Sequence, residues 1–358
     1  MTDDVLPPES DNRAVRNRAA ARRVGMREVA DRAGVAMSSV SRVMSNHPDA
    51  SDAMKARVLA AIDELGFRPD MLAQTLRTGS SRTIGFIAAD IGNPLFAQIA
   101  VGAESALRER GYSMLLANSL GDSSRASDYV LEMESRRVDG LLVSVSDETD
   151  ATLRSVLDEA SFPVVLIDRE LPGGFSAVVN DHASGMREAI EHLQRLGHEH
   201  IALVNGPAEV RPSRERAATL RAAASARLHP VISEGHFEAQ HGHDATLELL
   251  ESHPRPTALI AGSNQILVGV LRALRERGLR APHDVSLVTC DDAPMAEFLD
   301  PALTTISRDP ELLGGAAGQL LLEVLAGGEG GTVTLPTHLR IAASSAEPVG
   351  PPTSRSRT

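Results

Sequence analysis

The sequence predicts an α/β protein made of a small all-α head and a larger unit with two doubly wound parallel sheets. Three observations carry that prediction. From Thr83 onward, short apolar runs alternate with amphipathic helical stretches. The alternation is laid out nearly twice over, so two similar lobes are expected. Residues 24 to 68, in contrast, repeat apolar side chains only at helical spacing and are interrupted by Gly34. A chain of 358 residues, 42% hydrophobic and 23% charged, is long enough for two or three globular units with sizeable cores.

In chain order, residues 1 to 23 read as a disordered basic arm, with Arg13, Arg16, Arg18, Arg22 and Arg23 after Asn12 and no acid among them. The arm is either a solvated tail or a phosphate contact. Three short helices follow, Met26 to Arg32, Ser38 to Met44 and about Asp52 to Leu65. Val29, Ala30, Val35, Val40 and Val43 form a small core, and Val58, Leu59, Ile62 and Leu65 lie at helical spacing between the N-cap Ser51 and the stop Gly66. This is a helix-turn-helix with a supporting helix, bounded at 24 and 68. Phe67, Arg68 and Pro69 break the pattern, and residues 69 to 82 hold one more short amphipathic segment and a linker.

The larger unit, 83 to 345, reads strand by strand as TIGFIAAD, YSMLLAN, DGLLVSV, FPVVLID, AVVND, HIALVNG, SEGHF, TALIAGS and DVSLVTCDD. Between them lie helices Pro94 to Arg110, Ser124 to Arg137, Thr152 to Ala160, Ser184 to Leu196, one through Arg216 to Ala226, His243 to Glu251 and Ile266 to Arg277. Strands this uniformly apolar are buried on both faces, as in parallel sheets. The Pro- and Ser-rich residues 346 to 358 are expected to be disordered.

Composition and motifs exclude several classes. One Cys, Cys290, within an apolar run, rules out a disulfide framework and suggests a reducing compartment and a buried thiol. No apolar stretch serves as a signal core or membrane span, so a cytoplasmic protein without membrane contact is expected. There is no phosphate loop, dinucleotide fingerprint, GxSxG elbow or HExxH, and the glycines at 314, 315 and 318 fall inside a helical stretch. An enzyme is not expected, nor a cofactor. His192, His198 and His200 lie close in sequence, but Gly197 separates the first from the others, so no metal is expected there. The net charge of -12 opposes binding to nucleic acid as a whole, yet the acids accumulate from Asp90 onward and leave the N-terminal region basic.

The stretch VGMREVADRAGVAMSSVSRVMSNHPDASDAMKARVLAAIDELGFRPDMLAQTLR, followed by TIGFIAADIGNPLF, closely resembles the head and sensor start of the lactose-repressor (LacI/GalR) family of bacterial regulators. The resemblance extends over residues 24 to 345. It implies a periplasmic-binding-protein-like (type I) sensor, a homodimer, a pseudo-palindromic operator, and repression controlled by a small ligand held between the lobes.

A recognition helix places its N-terminal residues at base edges in the major groove, which assigns Met37, Ser38 and Ser39 to readout. Arg42 suits a bidentate contact to guanine, and Ser41 and Asn46 suit phosphate oxygens. By resemblance, residues 69 to 76 form a hinge helix, with Leu76 wedged into the minor groove and Ala73 allowing close approach. A linker residue packing on the sensor is the other role open to Leu76. Gly25 and Ala36 stand where helix N-caps are usually Ser or Thr, at a cost of about 1 kcal/mol for Ala, and Ser45 replaces the usual Asn.

Ligands of open α/β sheets bind beyond the carboxyl ends of the strands. Those positions are Asp90, Asn93, Phe96, Ser144, Asp168, Arg169, Asn180 and Asp181 in the first lobe, and Arg216, Phe237, Asn264, Asp291 and Asp292 in the second. By motif position Asp168, Arg216, Phe237, Asn264 and Asp291 match the family's ligand contacts, a set that suits a sugar, nucleoside or related polyol. Phe237 can instead be a core ring, Asp292 a helix N-cap, and Arg169 and Asp181 a mutual ion pair. Gln265 replaces a usual Asp, Arg308 a usual Gln, and Ala342 and Ala343 a common Arg-Glu pair. Arg308 points either to an anionic ligand or to an ion pair at the surface or between the lobes.

Overall fold

A computed structural model of the chain describes residues 24–44, 49–67, 79–291 and 299–348. The chain divides into two compact units, Met1–Gly79 and Ser80–Thr358, each described here by itself. The expectations for the basic arm, for Ser45, Asn46, Ala73 and Leu76, and for Asp292 lie outside the described residues.

The first unit contains α1 (Met26–Ala33), α2 (Met37–Met44) and α3 (Asp52–Leu65). Val29, Ala30, Ala33, Val40, Val43, Ala50, Val58, Ala61 and Phe67 form its core, with Val35, Ile62 and Leu65 packed partly against it. Leu59 differs from the helical-spacing expectation and is 58% exposed. It follows Val58 by one residue, and a 100° step along a helix carries it off the buried stripe that Val58 and Ala61 define. Glycine at 34 adopts φ +62 and lets the chain reverse into α2, its amide reaching back to Ala30 and Asp31 carbonyls. The missing N-cap side chain at Gly25 is offset by Glu28, whose carboxylate accepts the Gly25 amide at 3.0 Å.

The second unit holds two six-stranded sheets. Lobe 1 contains β1 (Thr83–Ala88), β2 (Ser113–Asn118), β3 (Gly140–Val143), β4 (Val164–Ile167) and β5 (Ser176–Asn180), joined by α4 (Pro94–Glu109), α5 (Ser123–Ser135) and α6 (Ala151–Asp158). The chain then crosses to lobe 2, with α7 (His182–Arg195), β6 (His200–Asn205), α8 (Arg211–Ala222), β7 (His229–Glu234), α9 (Ala239–Glu251), β8 (Ala258–Ala261), α10 (Asn264–Glu276), β9 (Ser286–Cys290) and β10 (Thr304–Ser307). It returns to lobe 1 through α11 (Pro310–Leu325) and β11 (Thr332–Leu335), and crosses a last time into β12 (His338–Arg340).

The sheet orders are β11-β5-β4-β3-β1-β2 and β12-β10-β9-β8-β6-β7, the same order position for position. All described pairings are parallel except β10 with β12. Strands β3, β4, β5, β8 and β9 are buried along their whole length, because helices cover both faces, which is why each reads as an unbroken apolar run. The edge strands β2 and β7 are partly exposed.

Several boundaries move relative to expectation. Strand β7 occupies His229–Glu234 and shares only Ser233 and Glu234 with the SEGHF segment, whose last residues lead into the cleft. Helix α9 begins four residues before His243, α7 begins at His182, and α8 ends at Ala222. The packed chain also continues past 345. Ser286 Oγ accepts the Ala346 amide at 3.0 Å, and the Ala346 carbonyl accepts from His198 Nε2 at 2.8 Å, so the chain is strapped to lobe 2 at Ala346. Helix α7 stops at Arg195, just before Gly197 with φ +91. His192 contacts Ser345 Oγ at 2.8 Å, while His198 Nδ1 contacts Thr257 Oγ1 at 2.8 Å. Cys290 is buried and unpaired. No helix among the described residues is long and apolar enough to cross a membrane.

Candidate DNA-reading head and ligand cleft

In the head, Val40 and Val43 anchor α2 to the core, which turns the other side of the helix to solvent. Met37 and Ser38 in its first turn and Arg42 in its last are exposed, Met37 by 52%, whereas Ser39 and Ser41 are half-buried. The first turn carries no acid, so the positive end of the helix dipole is unopposed there, and Arg42 places a cation in the last turn. Helix α3 braces this arrangement. Ser51 caps it through the Met54 amide, and Glu64 forms an ion pair with Arg32 of α1.

In the second unit a cavity of about 260 Å³ opens between the lobes, where the carboxyl ends of both sheets meet. Nine of the residues predicted from sequence line it, namely Asp90, Asn93, Phe96, Ser144, Asp168, Arg169, Arg216, Phe237 and Asp291. Asn180 and Asn264 stand outside the lining. Asn180 is fully buried at the crossover, and its carbonyl accepts from Arg211. Asn264 instead ties the lobes together, donating from Nδ2 to Asn93 Oδ1 at 2.9 Å.

The two carboxylates occupy equivalent places in the two sheets. Asp168 follows β4 with φ +53 and Asp291 follows β9 with φ +70, left-handed conformations that non-glycine residues rarely adopt. In each case the backbone amide bonds to the next strand, Asp168 to Val178 at 2.7 Å and Asp291 to Ile306 at 3.1 Å. Sheet pairing therefore holds the strained turn in place.

Arg308, at the end of β10, bridges both acids, with Nη1 2.5 Å from Asp168 Oδ2 and Nη2 2.7 Å from Asp291 Oδ1. Of the roles open to it, the ion pair between lobes is the one observed, and it is buried. Arg216 of α8 donates to the Gly262 carbonyl at 2.8 Å. Arg169 donates to the Val145 carbonyl at 2.5 Å and to its neighbour Asp168 at 2.8 Å, and Asp181 caps α7 through Ser184, so these two do not pair with each other. Gln265 donates to Asp90 Oδ2 at 3.2 Å across the cleft, where an Asp would face Asp90 with like charge.

His182 was not foreseen. It lies behind the lining, with Nε2 3.0 Å from both Asp168 oxygens and Nδ1 3.3 Å from Arg216 Nη2. A neutral ring satisfies both contacts, donating from Nε2 to the carboxylate and accepting at Nδ1 from the guanidinium. Burial, with Arg216 and Arg308 close by, lowers its pKa to about 4 despite the pull of Asp168. Burial alone would raise Asp168, but His182, Arg308 and Arg169 outweigh it and hold the carboxyl well below the usual carboxylate range. Arg308 is held above its ordinary value because Asp291 and Asp168 outweigh the effect of burial.

The six buried charged side chains among the described residues, Glu148, Asp168, Arg169, Arg216, Asp291 and Arg308, all belong to this region. Three are acids and three are guanidiniums, and the less buried acids Asp90 and Glu238 join them in the cavity lining. Ser144 Oγ, which lines the cavity, and Arg308 Nε are buried without a hydrogen-bond partner. Phe96 and Phe237 supply one aromatic ring from each lobe. Phe237 both packs on the lobe 2 core and lines the cavity, in space that a side chain at Gly206 would occupy, since a Cβ there would lie 2.1 Å from the ring. Such a site can pair with hydroxyl groups through guanidinium, carboxylate and hydroxyl partners and cover an apolar ring face. Ser146, Gln265, His236 and Glu238 also line it and were not assigned from sequence. A signal for the latter two was available in the segment around Phe237.

Two family models match the chain, "Bacterial regulatory proteins, lacI family" over residues 25–70 and "Periplasmic binding protein-like domain" over 190–345. The ribose operon repressor of Escherichia coli is 35% identical over 305 residues, covering 83% of this chain and 92% of the relative. The HTH-type transcriptional repressor PurR of Edwardsiella ictaluri is 31% identical over 332 residues, covering 91% and 97%. Among solved structures, the Lac repressor dimer bound to operator and the anti-inducer ONPF superposes with TM-score 0.81 at 28% identity, over 91% of this chain and all of that one. A LacI family regulator from Enterococcus faecium with bound ribose gives 0.66 at 29% identity, over 74% and 99%. With relatives that are transcriptional repressors and not enzymes, and a head and two-lobed sensor in the same order, the chain belongs to the LacI family of bacterial DNA-binding regulatory proteins.

Proposed function

We propose that this regulator is a cytoplasmic homodimeric repressor whose affinity for a pseudo-palindromic operator is set by a neutral polyhydroxylated ligand, a monosaccharide such as a pentose, bound in the cleft. The observation that carries the ligand class is the charge of the cavity lining, where the acids Asp90, Asp168, Glu238 and Asp291 already match or exceed the guanidiniums Arg169, Arg216 and Arg308. A neutral sugar leaves that charge unchanged, whereas a phosphosugar brings uncompensated negative charge into a desolvated region. The volume, just under the roughly 300–1,000 Å³ of drug-sized pockets, also favours a small ligand. The ribose repressor and the ribose-bound regulator among the relatives make D-ribose the first compound to test.

On the DNA side, Met37, Ser38 and Ser39 read base edges, Arg42 pairs with guanine, and Ser41 and Asn46 hold phosphates. Ala73 and Leu76 act at the minor groove. The roles of Asn46, Ala73 and Leu76 rest on motif position alone. Met37, exposed at the start of α2, suits an apolar contact with a thymine methyl group.

The experiment is footprinting of DNA upstream of the regulator's own gene, with D-ribose, other neutral sugars, nucleosides and phosphosugars added in turn. The expected outcome is protection of a palindrome that at least one neutral sugar strengthens or releases. Absence of any protected palindrome at moderate salt counts against the repressor reading, and a response confined to phosphosugars counts against the neutral ligand.

A further inference from the structure

We infer that Glu148 is a positioning residue of the ligand site, a lobe 1 carboxylate that caps the lobe 2 helix carrying Arg216 and so makes that helix complete only when the lobes meet. The inference rests on the ligand reading above and concerns the same cleft.

Helix α8 begins without a capping group of its own. Its N-cap residue is Val210, which offers no side-chain acceptor. In the first turn Pro212 has no amide hydrogen, and the Arg214 amide reaches the Val210 carbonyl. The Arg211 amide is taken by Glu148 Oε1 at 2.9 Å. Glu148 comes from the loop between β3 and α6, in the other lobe. Oε2 of the same carboxylate accepts from Arg214 Nη2 at 2.6 Å, and the Glu148 backbone amide donates to the Glu209 carbonyl at 3.2 Å. On its own side, Oε1 also accepts the Glu170 amide at 3.1 Å, directly after Asp168 and Arg169.

One buried carboxylate thus accepts from both lobes, and it is only 7% exposed. A carboxylate at a helix N-terminus satisfies an orphan amide and complements the dipole, and burial strengthens both effects. Two residues beyond Arg214, Arg216 meets Gly262 and His182 in the cleft. Glu148 also stabilises the charge of Arg169, which lines the cavity. When the lobes separate, the Arg211 amide loses its acceptor and Arg214 its partner, so the first turn of α8 frays. The energy of closure is thereby tied to the readiness of Arg216. A ligand that binds the closed form loses affinity in proportion as that form is depopulated.

The test uses the full-length chain and Glu148→Gln, which keeps size and one acceptor but removes the charge. D-ribose affinity is measured by calorimetry and amide exchange by mass spectrometry. The expected result is affinity weaker by roughly ten- to a hundredfold, with faster exchange confined to residues 211–216 and the unfolding midpoint nearly unchanged. Unchanged affinity together with unchanged exchange at 211–216 overturns the inference. So does faster exchange spread through both sheets, which marks a general structural role. If Glu148→Gln does not fold, Arg214→Met removes one partner from the more exposed side and is read the same way, with a smaller change expected. If the wild-type chain takes up no D-ribose, that sugar is excluded as the ligand, the neutral sugars of the footprinting panel decide the ligand reading, and sugar-free exchange at 211–216 still decides the role of Glu148.

Discussion

His182 shows how a single side chain links the cleft to stability. Its ring takes a proton near its ordinary 6.5 in the unfolded chain but only near about 4 in the fold, mainly because it is buried. Between those values the unfolded state binds the extra proton, so stability is full above 6.5 and falls as pH drops toward 4, by at most about 3 kcal/mol. Burial lowers His192 and His198 as well, which adds in the same direction. Urea unfolding at pH 7.5, 5.5 and 4.5 should therefore show a steep acid loss that His182→Gln reduces; an equal loss in the variant would remove this explanation. The cleft residues that could be read in the sequence, such as Asp168, Ser144 and Asp291, sit at strand ends, where polar residues interrupt apolar runs. His182 and Glu148 could not be read that way. Their roles come from contacts with Asp168, Arg211 and Arg214, which lie far from them along the chain.

Among the elements, the helices that flank the sheets depend on close packing that sequence periodicity does not reveal. A Cβ on Gly314 of α11 would lie 1.9 Å from the Ile99 carbonyl of α4, and one on Gly102 would lie 2.0 Å from the Glu311 carbonyl. The pair α9 and α10 in lobe 2 meets in the same way at Gly242 and Gly269. Of the glycines at 314, 315 and 318, Gly314 and, less tightly, Gly318 belong to this packing, whereas a Cβ on Gly315 would meet only the Gly102 carbonyl at 3.7 Å. Gly314→Ala should destabilise the second unit by about 1–3 kcal/mol, because the two helices must move apart. Scanning calorimetry would register this as a lower transition for that unit, and an unchanged transition would show that the contact can relax. Strand positions in the buried sheets were largely legible, since a run covered on both faces is apolar throughout. The edge strand β7 coincides with the SEGHF segment only at Ser233 and Glu234, because its alternation is weak and Phe237 lies just beyond it.

Across the whole molecule, the proposed function is a coupling of free energies. If the ligand changes operator affinity by a factor, the operator must change ligand affinity by the same factor, typically 5- to 150-fold. Titrating D-ribose with and without operator DNA, and operator with and without D-ribose, should give equal factors; a clear inequality would mean that the two sites are not linked through one equilibrium. Whether the sugar releases or strengthens operator binding is the direction these titrations read out.

The sequence by itself determined the order of the parts. Helical periodicity around Gly34 specified the head, and apolar runs with polar ends specified two parallel sheets and most of the cleft lining, because these patterns are local in the chain. Only the tertiary structure decided how the cleft is wired. Arg308 became a bridge between Asp168 and Asp291, Gln265 a partner for Asp90, Asn264 a tie to Asn93 and Glu148 a cap for α8. Each of these joins side chains more than fifteen residues apart in the chain. Buried charge must find its counter-charge wherever the fold places it, and no spacing along the chain encodes that partner.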